Sequence, residues 1–324
     1  MTSSRRTLIA ALALTSLIGT AARAAFPDQP VHIVVPYSAG GSSDVIARAI
    51  GDELGKVLGQ AVIVDNRAGA GSLIGTQYVA QDAGSGYTLL LADVPFTIVP
   101  ALYQEKARYD AEKNFVPIAL LGVAPTYLFV NDKSPVRSVP DLVKRAKTDP
   151  GALSIGSGGN GSLTHLMAAL FMINSGAKLT HIPYKGAAAS VTDLAAGQID
   201  ASFTTMASAS ALYQAGKLRP LAVSSESRQK DTPAVPTFTE AGVPRMAVES
   251  WWGLMAPAGT PKDVQATLAK AMAKVMDTTV VRARMAAVGV AAPADGSPAA
   301  LQKIVKADLA RWQDVIRKAD IKID

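Results

Sequence analysis

The chain has 324 residues, of which 49% are apolar and 18% are charged, a balance typical of a folded globular protein. Its formal net charge is +6, but Arg5, Arg6 and Arg23 lie in a segment that we expect to be removed, which lowers the charge to +3. Aromatic residues make up only 6% of the chain, and lysines and arginines form no basic stripe. The composition therefore argues against a disordered chain and against nucleic-acid binding.

Residues 1–24 have the three parts of a secretory signal: the pair Arg5-Arg6, an apolar stretch at 8–18 and the small-residue site Ala22-Arg23-Ala24. The apolar stretch is shorter than the ~20 residues that span a membrane, so we expect cleavage near Ala24–Ala25. The paired arginines leave a twin-arginine signal open. Because the chain has no cysteine, it has no disulfide, thiolate metal site or lipid-bearing cysteine. We expect an exported protein that is free in the periplasm.

The first predicted unit is a strand at 31–35, a small-residue turn and a helix from Val45 to Leu58. We expect Ser42 or Ser43 to cap this helix, with Asp44 in its first turn. A helix N-terminus presents backbone N–H groups and partial positive charge, which suit an anion such as a carboxylate. The stretch alone also fits a plain turn.

Strand and helix patterns then alternate. We predict strands at 62–64 and 87–91, the latter ending at Asp93, and a glycine-rich turn at 66–72 before a helix at 73–81. Two apolar runs, 116–123 and 127–130, are separated by Ala124-Pro125 and mark the passage into a second lobe. That lobe has predicted helices at 141–147, 162–173, 187–196 and 207–214, and strands at 153–156, 179–183, 199–203 and 218–223.

A proline-rich crossing at 224–248 leads back to a strand at 251–255 and to helices that begin at Thr260-Pro261 and Ser297-Pro298. We expect these last helices to pack on the first lobe. The alternation predicts an α/β fold of two lobes with largely parallel sheets and a cleft between them. Lobe 1 would comprise residues 25–123 and 227–324, and lobe 2 residues 124–226.

The loop at 154–162 repeats the strand, glycine turn and helix of the opening unit. Gly156, Gly158 and Gly161 spell G-x-G-x-x-G, but a dinucleotide site also needs an acid about 20 residues further on. Residues 179–183 contain none. The sequence therefore argues against a nucleotide site.

Enzymatic motifs are also missing from the sequence, which has no G-x-S-x-G, H-E-x-x-H or P-loop pattern. Ser162 and His165 are three residues apart on one predicted helix, which leaves a Ser–His nucleophile pair geometrically open. A capping serine beside a polar neighbour is the simpler interpretation. His32, in the first strand, is expected to be structural, and Asp93 fits either contact with a ligand ammonium or a turn cap.

Several motifs occur in the order in which one family has them. They are Pro36-Tyr-Ser-Ala-Gly-Gly-Ser-Ser-Asp44 with Ala47-Arg48, Val64-Asp-Asn-Arg-Ala-Gly-Ala-Gly71, Gly86-Tyr-Thr-Leu-Leu90, Gly158-Gly-Asn-Gly-Ser-Leu-Thr-His-Leu166, Ile182-Pro-Tyr-Lys-Gly186 and Ala256-Pro-Ala-Gly-Thr-Pro261. Through these motifs the chain resembles the Bug-type, or tripartite tricarboxylate transporter, periplasmic solute-binding proteins. The resemblance covers essentially the whole chain after residue 24.

This resemblance implies a Venus-flytrap fold of the type II-like class that holds a small carboxylated solute between its lobes and passes it to membrane transporter subunits. It implies a binding protein and not an enzyme, and we expect a monomer without cofactor or metal. First-lobe contacts carried over from the motifs are Tyr37, Ser38, Ala39, Gly40, Gly41, Ser42 and Asp44. Second-lobe contacts are Ser157, Gly161, Ser162, His165, Tyr184 and Gly186, although Asp44 and His165 are open to a purely bracing role.

Two departures from the family bear on the ligand. Members often carry Phe-Asp where this chain has Phe203-Thr204-Thr205, and Asn-Pro where it has Val99-Pro100. The missing acid at Thr204 weakens the case for an amino-acid ligand, and Phe96 adds apolar surface that would admit a ring. We therefore add Asp93, Phe96, Thr204 and Thr205 to the candidate contacts and expect an aliphatic dicarboxylate or an aromatic carboxylate. A secreted hydrolase using Ser162 and His165, or a sensor that presents its ligand, are the alternatives.

Overall fold

The computed structural model describes residues 26–184 and 186–322. The predicted signal segment and its cleavage site lie outside the described residues. None of the helices described is long and apolar enough to cross a membrane.

The first lobe is built on a sheet whose central strand is apolar and buried except at His32. β1 (Val31–Val35) lies between β2 (Val62–Asn66) and β3 (Thr88–Asp93), both parallel to it. The helices that alternate with these strands are α1 (Ser42–Leu58), α2 (Leu73–Ala80) and α3 (Pro95–Tyr103). Short 3-10 turns occur at Ala70–Ser72 and Gln104–Ala107. The parallel strands end at one edge of the sheet, where ligands bind in open α/β folds.

β4 (Phe115–Asn131) is one strand of 17 residues that joins the two lobes. Its first part pairs with β9 (Glu249–Pro257), which in turn pairs with β3, and its second part pairs with β7 and β8. The prediction of two runs broken at Ala124-Pro125 was wrong. Pro125 lies at the end of the β9 pairing, where the strand changes partners, and the register shifts in β4 occur at other positions.

The second lobe repeats the alternation. It contains α4 (Val139–Thr148), β5 (Ser154–Ser157), α5 (Leu163–Ser175), β6 (Thr180–Pro183), α6 (Ala187–Ala196), β7 (Ala201–Thr205), α7 (Met206–Gln214) and β8 (Leu218–Val223). β5 is parallel to both β6 and β7. The order through the described strands is β2-β1-β3-β9-β4-β7-β5-β6, with β8 beside β4.

The chain returns to the first lobe after Ser224. Ser224 itself joins the crossing segments through hydrogen bonds. Its amide donates to Thr126 O (2.9 Å) and its hydroxyl donates to Val248 O (2.6 Å). The last helices are α8 (Lys262–Met276), α9 (Thr279–Ala287) and α10 (Pro298–Lys318). As predicted, α8 and α9 pack against α1, and α10 packs against α3 and β4. α10 also contacts α5, so it touches both lobes.

The observed elements agree with the sequence pattern except in a few places. The two-lobed α/β architecture is confirmed, whereas the lobe boundaries at 123/124 and 226/227 stay predictions. The helix α3 was not predicted, because Pro95 and Pro100 obscure its pattern. The expected cap of α1 by Ser42 or Ser43 was wrong: Gly41 is the N-cap residue, and no side chain caps it.

Candidate functional site

The loop after β1 presents a row of exposed small residues at the N-terminus of α1: Ser38, Ala39, Gly40, Gly41 and Ser42. Gly40 has φ +93°, a left-handed conformation that favours glycine, and an added Cβ at Gly41 would meet nothing within 4 Å. The loop is therefore open, and the partial positive charge of the 17-residue helix α1 lies beside it.

Asp44 braces this loop from behind and does not face outward. It is only 5% exposed, and its carboxylate accepts hydrogen bonds from the Gly40 amide (3.0 Å) and from the Asn66 amide (3.0 Å). Arg48 donates to it at 3.1 Å and holds the pKa of Asp44 below its usual value. Asn66 also donates to Tyr37 O at 3.0 Å. The negative charge of Asp44 is thus paired and removed from the open side of the loop.

A second carboxylate, Asp93 at the end of β3, lies at the base of the same loop. Tyr37 donates to Asp93 Oδ1 (2.7 Å), and Ser43 donates to Asp93 Oδ2 at the longer distance of 3.4 Å. Trp252 on β9 donates from Nε1 to Ser43 Oγ (3.0 Å). Burial raises the pKa of Asp93 to about 7, although hydrogen bonds from Tyr37 and Ser43 act to lower it. Burial and the neighbouring Asp93 charge raise the pKa of Tyr37.

The corresponding loop of the second lobe lies between β5 and α5. Ser157 is fully buried; its Oγ lies 2.7 Å from His181 Nε2 and accepts a hydrogen bond from the Gly159 amide (3.1 Å). Ser162 is the N-cap residue of α5, as predicted, and accepts from the His165 amide at 3.3 Å. The Gly161 amide donates to His165 Nδ1 at 3.1 Å. This loop is held by its own side chains, as the first-lobe loop is.

Two histidines beside this loop, His165 on α5 and His181 on β6, favour the neutral form. Burial lowers the pKa of His165, and burial together with the charge of His165 lowers the pKa of His181 to about 4. Because His165 Nδ1 accepts the Gly161 N–H, the neutral ring carries its proton on Nε2. The loop therefore offers hydroxyl, amide and imidazole N–H donors without a full positive charge.

The geometry does not pair Ser162 with His165 as a nucleophile and its base. Ser162 Oγ donates to Gly159 O at 2.7 Å and lies 3.1 Å from Thr164 Oγ1. The imidazole of His165 is bonded instead to the Gly161 amide. Since activation of a serine requires a base within hydrogen-bond reach, this arrangement does not favour the hydrolase alternative.

The other second-lobe candidates lie at the ends of β6 and β7. The Tyr184 amide donates to Ser157 O at 3.1 Å, and its hydroxyl donates to Asp193 (2.8 Å). Gly186 precedes α6 with φ +108°, and a Cβ there would meet nothing within 4 Å. Thr205 is the N-cap residue of α7. Thr204 is 1% exposed, and its hydroxyl has no hydrogen-bond partner among the described residues.

Phe96 does not lie at an open surface in this structure. It is 1% exposed, and its ring packs against Phe115 and Tyr109 at centroid distances of 5.1 Å and 5.8 Å. The reason is that α3 begins at Pro95 and turns Phe96 into the core of the first lobe. We therefore leave Phe96 out of the site that we propose below.

The remaining candidates lie at the carboxyl ends of β1 and β3 in one lobe and of β5, β6 and β7 in the other. Sequence reasoning missed Ser43, Asn66, His181 and Trp252 as parts of these networks. Asn66 could have been found from its place at the end of β2. The contact between Trp252 and Ser43 joins positions 209 residues apart, and no local pattern indicates it.

Comparison with known proteins shows which family the chain resembles. Residues 46–321 match a family described as the tripartite tricarboxylate transporter family receptor. Protein BugT of Bordetella pertussis is 34% identical over 304 residues, which cover 92% of this chain and 91% of BugT.

Two solved structures from Rhodopseudomonas palustris have the same fold. MatC with bound malate is 30% identical, with a TM-score of 0.75 over 90% of this chain and 100% of MatC. Rpa4515 with adipate is 33% identical, with a TM-score of 0.77 over 92% of this chain and 99% of that protein. The chain therefore belongs to the tripartite tricarboxylate transporter receptor family of periplasmic solute-binding proteins.

Proposed function

We propose that this protein is exported, closes its two lobes over a small carboxylate and delivers it to the membrane subunits of a tripartite tricarboxylate-type transporter. The observation that carries the proposal is the pair of loops at the N-termini of α1 and α5, one in each lobe. Both loops are rich in small residues and uncharged donors. We propose that it acts as a monomer and catalyses no reaction.

Each loop suits a carboxylate for the same physical reason. A helix N-terminus has unpaired backbone N–H groups and partial positive charge, and hydrogen bonds from such donors to an anion are stronger than those between neutral groups. Asp44, the acid closest to the first loop, is paired with Arg48 and Asn66. We propose as direct or water-mediated contacts Tyr37, Ser38, Ala39, Gly40, Gly41, Ser42, Asp93, Ser157, Gly161, Ser162, His165, Tyr184, Gly186, Thr204 and Thr205.

A ligand with two carboxylates fits two such loops better than a ligand with one. Closure requires a ligand that interacts with both lobes, because only differential contact shifts the equilibrium between open and closed forms. The relatives MatC and Rpa4515 were solved with malate and adipate, which are both aliphatic dicarboxylates. With Phe96 in the core, less apolar surface is left for an aromatic ring. We therefore place an aliphatic dicarboxylate ahead of an aromatic carboxylate.

A thermal-shift screen across mono-, di- and tricarboxylates, aromatic acids and amino acids tests the proposal. A dicarboxylate present at 100 times its Kd should add about 2.7 kcal/mol to the free energy of unfolding and raise Tm by about 5 °C. Matched diols of the same chain length serve as controls and should leave Tm unchanged. The proposal fails if no carboxylate raises Tm.

A further inference from the structure

The side chain of Asp93 ends a chain of hydrogen bonds that begins at Trp252 and passes through Ser43. The same carboxylate accepts the Tyr37 O–H at 2.7 Å. Tyr37 belongs to the first-lobe loop in which we place the ligand, Ser43 lies beside it in the first turn of α1, and Tyr37 and Asp93 are both half-buried. Asp93 thus lies at the base of the proposed site and remains reachable from it.

The number of available donors makes the protonation state of Asp93 important. A tyrosine has a single O–H, and an ionised carboxylate can only accept hydrogen bonds. When Asp93 is ionised, Tyr37 therefore directs its one donor at Asp93 and has none left for a ligand. An ionised Asp93 also repels a ligand carboxylate directly. When Asp93 is protonated, its own O–H can donate to the Tyr37 oxygen, and the Tyr37 O–H becomes free.

We propose that Asp93 is a specificity-determining residue that binds the ligand carboxylate only in its protonated form, so that each anion is captured together with one proton. This inference rests on the proposed function. On binding, a proton from solvent is added to a carboxylate oxygen of Asp93, and the Tyr37 O–H turns from Asp93 to the ligand. No other bond changes.

The surroundings of Asp93 favour this exchange at neutral pH. Burial raises its pKa to about 7, so roughly half of the ligand-free molecules carry the proton at that pH. Its neighbours are the Tyr37 phenol from the loop, the Ser43 hydroxyl from α1, Trp252 from β9 and the Tyr109 phenol, whose pKa is raised by burial and by Asp93. No lysine, arginine or histidine of the described residues pairs with Asp93 in the manner of Arg48 with Asp44.

The competing role for Asp93 is to bind a ligand ammonium group. An ammonium group prefers the ionised carboxylate, so its binding would release a proton, whereas binding of a carboxylate takes one up. The sign of the proton exchange therefore separates the two roles.

Calorimetric titration of the whole protein with adipate and with malate, between pH 6.5 and 8.5, tests the inference. At each pH the titration is repeated in buffers of different ionisation enthalpy, which gives the number of protons exchanged. We expect uptake of about half a proton at pH 7, rising toward one at pH 8, and an affinity that falls roughly tenfold for each pH unit above 7. The carboxyl groups of adipate and malate are almost fully ionised across this range and contribute little to the uptake.

Asp93→Asn is the decisive variant, because an amide cannot ionise. It should bind with no proton uptake and with an affinity that does not change with pH. Asp52→Asn is the matched control: it removes the same charge from the same lobe at an exposed pair with Arg284, and it should keep both the uptake and the pH dependence. Tyr37→Phe should lower the affinity at pH 6.5 while proton uptake remains.

Binding without proton uptake, binding with proton release, or an unchanged pH dependence in Asp93→Asn would each overturn the inference and leave the proposed function standing. The pKa of Asp93 in the ligand-free protein can be measured separately by NMR of the 13C-labelled carboxyl group. If adipate, malate and the other acids of the screen all fail to bind, the proposed function fails. In that case an Asp93 carboxyl group that still titrates near pH 7 shows that the missing binding is not due to a changed Asp93.

Discussion

His165 and His181 stack face to face, with ring centroids 3.9 Å apart and only 4° between the ring planes. Two protonated imidazoles at that distance would repel each other strongly. One nitrogen of each ring is already hydrogen-bonded: His165 Nδ1 accepts from the Gly161 amide, and His181 Nε2 is bonded to Ser157 Oγ. The second-lobe loop is therefore packed against two stacked rings that favour the neutral form, and protonation of these rings in acid should destabilise the protein.

We expect the protein to lose stability as the pH falls from 6.5 to 4. The pKa of His181 is lowered to about 4 in the folded protein, while an unfolded histidine has a pKa of about 6.5. Between these two pKa values the unfolded state binds more protons than the folded state, so the free energy of unfolding decreases as the pH decreases. After allowance for partial exposure the loss is about 1–2 kcal/mol. Tm measured at pH 7 and pH 4.5 gives its size.

His181→Phe keeps an aromatic ring in the stack and cannot be protonated. Its Tm at pH 7 should be lower than that of the wild type, because the bond to Ser157 is lost, but its decrease between pH 7 and 4.5 should be smaller. His32→Gln, at the partly buried pair with Asp65 in the other lobe, is the control and should show the wild-type decrease. An equal acid loss in His181→Phe would contradict this explanation.

Gly41→Val should abolish carboxylate binding and leave the fold intact. Gly41 has φ −81°, which valine can adopt, and a Cβ there meets nothing within 4 Å. The added methyl groups would occupy the space beside the first-lobe donors. Isothermal titration should show at least a hundredfold weaker binding with Tm within a few degrees of the wild type. Ala286→Val, on the exposed face of α9, should bind normally, and an unchanged affinity in Gly41→Val would remove this loop from the site.

Ser162→Ala separates a capping role from a ligand role, because the chain offers a matched serine cap. Ser162 caps α5 through the His165 amide (3.3 Å), and Ser138 caps α4 through the Asp141 amide (3.2 Å). Loss of either cap should cost about 1 kcal/mol of unfolding free energy. Only Ser162→Ala should also weaken carboxylate binding. Urea unfolding and titration measure the two effects, and equal affinities in both variants would argue against Ser162 as a contact.

Asp308→Ala should destabilise the protein more than the loss of any surface ion pair does. Asp308 is 3% exposed; it accepts the Trp251 Nε1–H at 2.9 Å and pairs with Arg311 at 2.6 Å. Truncation leaves the buried Trp251 N–H without its acceptor and Arg311 without this ion pair, at a cost of about 2–4 kcal/mol. The exposed pair of Asp277 with Arg282 provides the control, since Asp277→Ala should change urea unfolding very little. A loss in Asp308→Ala no larger than in the control would mean that α10 is held by its apolar contacts alone.

Local patterns determined much of this protein. Helical periodicity and glycine turns were enough to predict α1, α5 and α6, and Ser162 was recognisable as a cap because the capping bond spans only three residues. The strand, glycine turn and helix of each lobe, read together with the order of the motifs, predicted the two-lobed fold. These features are local because their hydrogen bonds join residues close in sequence.

Tertiary structure decided what local patterns could not reach. The sequence around Phe96 is compatible with a position in a cleft and with a position in the core, and only the start of α3 at Pro95 turns the side chain inward. Likewise Asp93 could have been a turn cap or a ligand contact, and its environment is set by Tyr37, 56 positions away, and by Trp252 through Ser43. The sequence by itself determined the fold and the class of receptor. The charge state of Asp93 depends on burial and on distant donors, so only the folded chain could decide it.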